Sequence, residues 1–82
     1  MDQISRTSQQ IGAAIRRRRR ALHLSQTQLG GKTDLRQATI SALENGDPGT
    51  QLRTLMDVMT ALGLEMVIRE RSKSGESIEE LF

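Results

Sequence analysis

SQTQLGGKTDLRQATISALENG, residues 25–46, holds two short helical patterns separated by a break in periodicity. Ser25 and Gln28 have capping-box spacing, in which the hydroxyl accepts from a free first-turn amide and the Gln reaches back to the cap. A helix is therefore predicted to begin at Gln26. The pattern breaks from Lys32 to Leu35 and resumes at about Gln37, where Ile40 and Leu43 are spaced to point inward. Gly46 is placed to end this second helix in the left-handed conformation. Arg36, Gln37, Ala38 and Ser41 are then left outward, with Ala42 and Asn45 at the margin. These side chains are short, polar or flat, which suits a helix laid in a DNA groove. Gly30 and Gly31 each weaken the first helix by roughly 1 kcal/mol relative to Ala, so that helix is expected to be short and dependent on packing.

The composition sets limits on the rest. Eighty-two residues make one small domain, of which only 35% are hydrophobic and Phe82 is the sole aromatic. The core must be built from Leu, Ile, Val, Met and Ala, and so small a core favours an oligomer. With no cysteine, neither a disulfide framework nor a Cys-ligated zinc site is expected. The chain shows no long apolar segment and no signal-peptide pattern, which predicts a soluble cytoplasmic protein without membrane contact. It offers no nucleophile beside a base, no metal-ligand cluster and no phosphate loop, so neither an enzyme nor a cofactor is expected. Charge is unevenly divided: eight Lys and Arg against three acids through Gly46, then four against seven from Asp47 onward. The basic half suits a phosphate backbone, and the acidic half suits a different surface.

Toward the N-terminus, residues 1–7 form an expected arm, and Thr7 with Gln10 repeats the capping-box spacing. The helix that follows is predicted from Ser8 to about Leu22, with Ile11, Ile15 and Leu22 inward and Ala14 at a close contact. Arg16 to Arg20 advance about 100° each and wrap around this helix, so they cannot all face DNA. Arg17 and Arg20 read as solvated side chains whose stems cover apolar surface. Arg16 is the candidate for a phosphate contact. His23, the only histidine, reads as a surface residue near the end of the helix, and Leu24 as core.

Toward the C-terminus, Asp47–Thr50 is a breaker-rich turn holding the only proline. Thr50 is expected to cap a fourth helix over about Gln51 to Leu62, burying Leu52, Leu55, Met56, Met59 and Leu62. Gly63 should stop it. Leu64–Arg71, LEMVIRER, then alternates with a period of two, which predicts a strand, although Glu, Met and Arg would also suit a fifth helix. No other stretch reads as a strand. Its partner is then expected in a second copy, making a homodimer joined by an antiparallel ribbon through Leu64, Met66, Val67 and Ile68. Residues 72–82 read as a flexible, acidic tail in which Ile78, Leu81 and Phe82 form an apolar triplet at helical spacing.

Over about residues 11–71, and most specifically over residues 25–46, the chain resembles the helix-turn-helix of the Cro and phage-repressor family. RQATISALEN, residues 36–45, is similar to the recognition helix of HipB-type antitoxins. Three positions depart from the family pattern: Gly30 replaces a usual Ala, Thr33 a usual aliphatic residue and Asp34 a usual Gly. Asp tolerates the left-handed turn conformation better than most residues. The resemblance implies a mainly α, lambda-repressor-like domain of four to five helices over residues 8–63, with the strand at 64–71 completed by dimerisation. It implies a largely buried ion pair between Arg19 and Glu44. It also places Arg36, Gln37, Ala38 and Ser41 at DNA bases, Gln37 toward adenine and Ala38 toward a thymine methyl. Gln26, Thr39 and Asn45 fall at phosphates. The implied function is a dimeric repressor on a palindromic operator that is also the antitoxin of a HipA-like kinase toxin and autoregulates its operon, with residues Ile78, Leu81 and Phe82 as the toxin contact. Two other readings stay open: a module that chiefly neutralises a toxin and binds DNA secondarily, and a stand-alone Cro-like repressor with no toxin.

Overall fold

A computed structural model of the chain describes residues 3–71 and contains four helices: α1 (Ser8–Ala21), α2 (Gln26–Thr33), α3 (Gln37–Glu44) and α4 (Leu52–Ala61). Local signals account for most of their ends. At α2 the capping box closes fully, with Ser25 Oγ accepting the Gln28 amide at 3.0 Å and Gln28 Oε1 accepting the Ser25 amide at 2.8 Å. At α1 it closes by half: Thr7 Oγ1 accepts the Gln10 amide, but the Gln10 side chain accepts from the Arg6 amide and leaves that of Thr7. At their C-termini α1, α3 and α4 share one device, in which a left-handed residue turns the chain back so that two amides close on the last turn. Gly46 and Gly63 occupy it after α3 and α4, as predicted, while after α1 it falls to His23, whose φ is 59°.

The core is Ile15, Leu29, Ile40, Leu43, Leu55, Val58, Met59 and Leu62, flanked by Ile11, Leu24, Leu35, Ala61 and Leu64. α2 packs against α3 and α4, and α1 against α3. Two glycines make this closeness possible. A Cβ on Gly12 would lie 2.5 Å from the carbonyl oxygens of both Leu43 and Glu44, so α1 rests its bare backbone on the end of α3. A Cβ on Gly30 would lie 2.5 Å from the Leu35 carbonyl oxygen, so the turn folds directly onto α2. The other two departures from the family pattern are also accommodated. Asp34 takes the left-handed conformation at φ 59°, and the Thr33 hydroxyl is satisfied by the Leu29 carbonyl at 2.9 Å.

Several expectations need correction. Leu22 is 39% exposed because α1 ends before it, and the core position falls to Arg19 instead. α4 begins at Leu52 with Gln51 as its cap, and no side chain, Thr50 included, caps it. Its inward face is Leu55, Val58, Met59 and Leu62, leaving Leu52 67% and Met56 42% exposed. Arg18, given no role above, donates from Nε to the Leu62 carbonyl at 2.9 Å and ties α1 to the end of α4. Residues 64–71 form neither the alternative fifth helix nor a paired strand within one chain. Leu64 packs on the core, whereas Met66, Val67 and Ile68 are 43%, 70% and 91% exposed.

Gly31 has no atom within 4 Å of its would-be Cβ, in contrast to Gly30. Gly31→Ala should therefore raise the urea-unfolding free energy by about 0.5–1 kcal/mol, from helix propensity alone. Gly30→Ala should lower it, because the Leu35 carbonyl must move.

Candidate nucleic-acid interface

α2, the turn at Asp34 and α3 present one continuous outer surface. Arg36 is the cap of α3 and makes no cap hydrogen bond through its side chain. Arg36, Gln37 and Ala38 are all exposed, one after another at the amino end of α3, and Ser41 is half-buried one turn further on. Thr39 is half-buried and lines a groove together with Ala38, Ala42, Thr50, Gln51 and Thr54. The four positions expected at bases thus fall on the first turn and a half of α3, and Thr39 shares the groove that Ala38 borders.

Beneath this edge lies Glu44, whose side chain is fully buried. It accepts from Arg19 Nε at 2.6 Å and from Arg19 Nη2 at 2.9 Å, a bidentate pair that joins α1 to the end of α3. Arg16 Nε adds a contact at 3.3 Å and Gln26 Nε2 another at 3.1 Å. Arg19 spends its third nitrogen, Nη1, on the Leu24 carbonyl at 2.8 Å. Every group with a charge in this buried cluster is therefore hydrogen-bonded. Burial pushes the Glu44 carboxyl up, but the hydrogen bonds from Arg19 and Gln26, with the charge of Arg19 and the bond from Arg16, outweigh it and hold the pKa below the ordinary value. Arg19 is raised in turn, chiefly by its bond to Glu44, against the opposing effect of burial.

The network reaches the surface. Gln26, at the first position of α2, accepts from the Nε2 of Gln37 at the first position of α3. Arg16 Nη2 donates to Asn45 Oδ1 at 2.9 Å. Of the residues expected at phosphates, Arg16 and Gln26 are thus held on one carboxylate and Asn45 on Arg16, with 37% of the Arg16 side chain still exposed. The Arg19–Glu44 pair was implied by the family resemblance and not by residue spacing, and neither indicated the bond between Gln26 and Gln37. The available signal was a glutamine at the first position of both helices. Ile78, Leu81 and Phe82 lie outside the described residues. Among the described residues no group of three His, Cys, Asp or Glu could hold a metal, and no helix is long and apolar enough to cross a membrane.

A helix-turn-helix family model matches residues 15–68 of the chain. The putative antitoxin HigA2 of Mycobacterium tuberculosis (strain ATCC 25618 / H37Rv) is 40% identical over 58 residues, covering 70% of this chain and 57% of that protein. The chain thus spans little more than half the length of that relative. Among solved structures, HipB in the HipB-O4 20mer complex is 28% identical with a TM-score of 0.81, over 87% of this chain and 100% of that one. A chain of the HipA-HipB-O2-O3 complex gives a TM-score of 0.80 at 28% identity, again over 87% and 100%.

Removing one partner of a buried, hydrogen-bonded pair leaves the other charge desolvated, so Arg19→Ala should cost about 3–5 kcal/mol in chemical unfolding. The depressed Glu44 pKa makes this cluster's contribution fully present above the unfolded glutamate value, about 4.3. It is lost as the pH falls through the lower folded value. Wild-type stability should therefore decline as the pH falls below about 4.3, the unfolded value, and Glu44→Gln, though less stable at pH 7, should show a shallower decline.

Proposed function

We propose that this chain, which belongs to the helix-turn-helix family through residues 15–68, is a dimeric, sequence-specific DNA-binding repressor and the antitoxin of a HipA-like kinase toxin, autoregulating its own operon. The observation that carries the reading is the exposed edge of Arg36, Gln37 and Ala38, set on a base held by Gln26 and Glu44 in a fold that matches HipB in the HipB-O4 20mer complex. Each copy lays α3 in a major groove, and the two are separated by about one turn of DNA, roughly 34 Å, on a palindromic site. Gln37 reads adenine, Ala38 meets a thymine methyl, Arg36 reaches guanine or a phosphate, and Ser41 adds a short hydroxyl. Gln26, Asn45, Thr39 and Arg16 hold phosphates and fix the register. The role is binding in the cytoplasm, not catalysis.

Dimerisation falls to LEMVIRER. Met66, Val67 and Ile68 leave a run of apolar side chains and unpaired backbone in water, and antiparallel pairing with a second copy covers both. The antitoxin role is supported by the likeness to HipA-bound HipB and to the HigA2 antitoxin. Its toxin contact is proposed at Ile78, Leu81 and Phe82.

On a duplex selected by the protein from randomised DNA, Gln37→Ala should weaken binding by about 1–3 kcal/mol and leave binding to random DNA nearly unchanged, measured by fluorescence anisotropy at fixed salt. Equal loss on both would make Gln37 a positioning residue. Deleting residues 72–82 should preserve duplex affinity and abolish co-purification of a co-expressed HipA-like kinase; retained co-purification would remove the tail from the toxin contact.

A further inference from the structure

We propose that the buried carboxylate of Glu44 fixes which way the amide of Gln26 faces, and through it which atoms Gln37 presents to a base pair, so that the choice of adenine over guanine is set from inside the domain. The inference rests on the DNA-reading role proposed above. It makes Glu44 and Gln26 positioning residues for Gln37.

An ionised carboxylate has acceptors and no hydrogen to give. Glu44 is fully buried, and each of its neighbours reaches it with a donor: Arg19 Nε and Nη2, Arg16 Nε and Gln26 Nε2. Turning the Gln26 amide over would put its oxygen 3.1 Å from a carboxylate oxygen, two acceptors face to face in a desolvated place. The amide must therefore point its nitrogen inward and its oxygen toward α3. That oxygen needs a donor, and Gln37 Nε2 supplies it.

The consequence falls on what Gln37 has left. One N–H is spent on Gln26, which leaves one N–H and the Oε1 for a ligand, a donor beside an acceptor. Adenine offers the complement in the major groove, the N7 acceptor and the N6 amino donor, whereas guanine offers two acceptors, N7 and O6. If Gln26 faced the other way, Gln37 would turn its oxygen inward and offer two N–H groups. That arrangement suits guanine. An exposed glutamine by itself flips freely between the two, and the link to Glu44 removes the freedom.

The test separates polarity from charge. The wild-type chain selects duplexes from a randomised DNA pool, and the base pair read by Gln37 is the one whose change from A·T to G·C matters to wild type and not to Gln37→Ala. Wild type should favour A·T there by roughly tenfold or more. Gln26→Glu is repelled from Glu44 but can offer Gln37 only acceptors, so it should keep that ratio while binding both duplexes more weakly. Gln26→Lys offers only donors, to Glu44 and to Gln37, and should lose the ratio or move it toward guanine. If position 26 serves only a phosphate, Lys strengthens and Glu weakens both duplexes by one factor each with the ratio unchanged, and the proposal is overturned. A chain that enriches no duplex overturns the DNA reading itself and the proposal with it. Independently of any variant, NMR of the free wild-type protein should show scalar couplings across the hydrogen bonds from Gln26 Nε2 to the Glu44 carboxyl carbon and from Gln37 Nε2 to the Gln26 amide carbon. Free rotation of the Gln37 amide in those spectra would refute the relay.

Discussion

A single charged group placed out of reach of water organises this domain. A carboxylate stripped of solvent costs several kcal/mol unless the protein replaces the lost hydrogen bonds, and Glu44 obtains them from three side chains on α1 and α2. Meeting that demand fixes the relative placement of those helices at the far end of α3, because the bidentate geometry of Arg19 tolerates little movement. The same guanidinium also holds the Leu24 carbonyl, just ahead of the Ser25 cap, and so constrains where α2 begins. One ion pair thus settles the angle at which α1, α2 and α3 meet.

Backbone contact supplies the complementary constraint. α2 and α3 are eight residues each and bury only Leu29, Ile40 and Leu43 among their large apolar side chains, too few to hold short helices by side-chain packing alone. Gly12 and Gly30 let main chain lie on main chain at the two places where helix meets helix or turn. α4 then covers the remaining apolar surface with Leu55, Val58, Met59 and Leu62, and Arg18 fastens its last turn to α1. The five arginines of residues 16–20 are accordingly not one feature. Two serve Glu44, one caps α4, and Arg17 and Arg20 remain at the surface.

What could be read in the residues was what depends on near neighbours. The Ser25 box, the stops at Gly46 and Gly63, the inward Ile40 and Leu43, and the left-handed Asp34 are decided within a few positions of the chain. The errors came where the decision is made by distant partners. Leu22 and Met56 have the periodicity of core residues, but Arg19 and Val58 take the buried positions beside them. Val58 was passed over although it is completely buried, because a stripe through Leu52 and Met56 and one through Val58 both satisfy three-and-four spacing along α4, and only the packing of the other helices chooses between them. His23 was placed correctly at the surface, yet nothing about histidine announces a left-handed backbone. In the interface the exposed residues of α3 were legible from spacing. Their support was not, since the link from Gln37 through Gln26 to Glu44 spans three segments.

In the proposed DNA-reading role, the brevity of α3 limits how much sequence it can distinguish. Eight residues at 1.5 Å each extend about 12 Å, enough to meet three or four base pairs. A word of four letters recurs about once in 256 positions of random sequence, while a bacterial-sized genome offers on the order of 10⁶ competing sites. One copy of this domain therefore carries too little information to find a particular address. Two copies locked at fixed spacing square the odds, to about one in 65,000, and each further site placed alongside multiplies them again. For a reader with so short a helix, pairing is a matter of counting as much as of covering apolar surface.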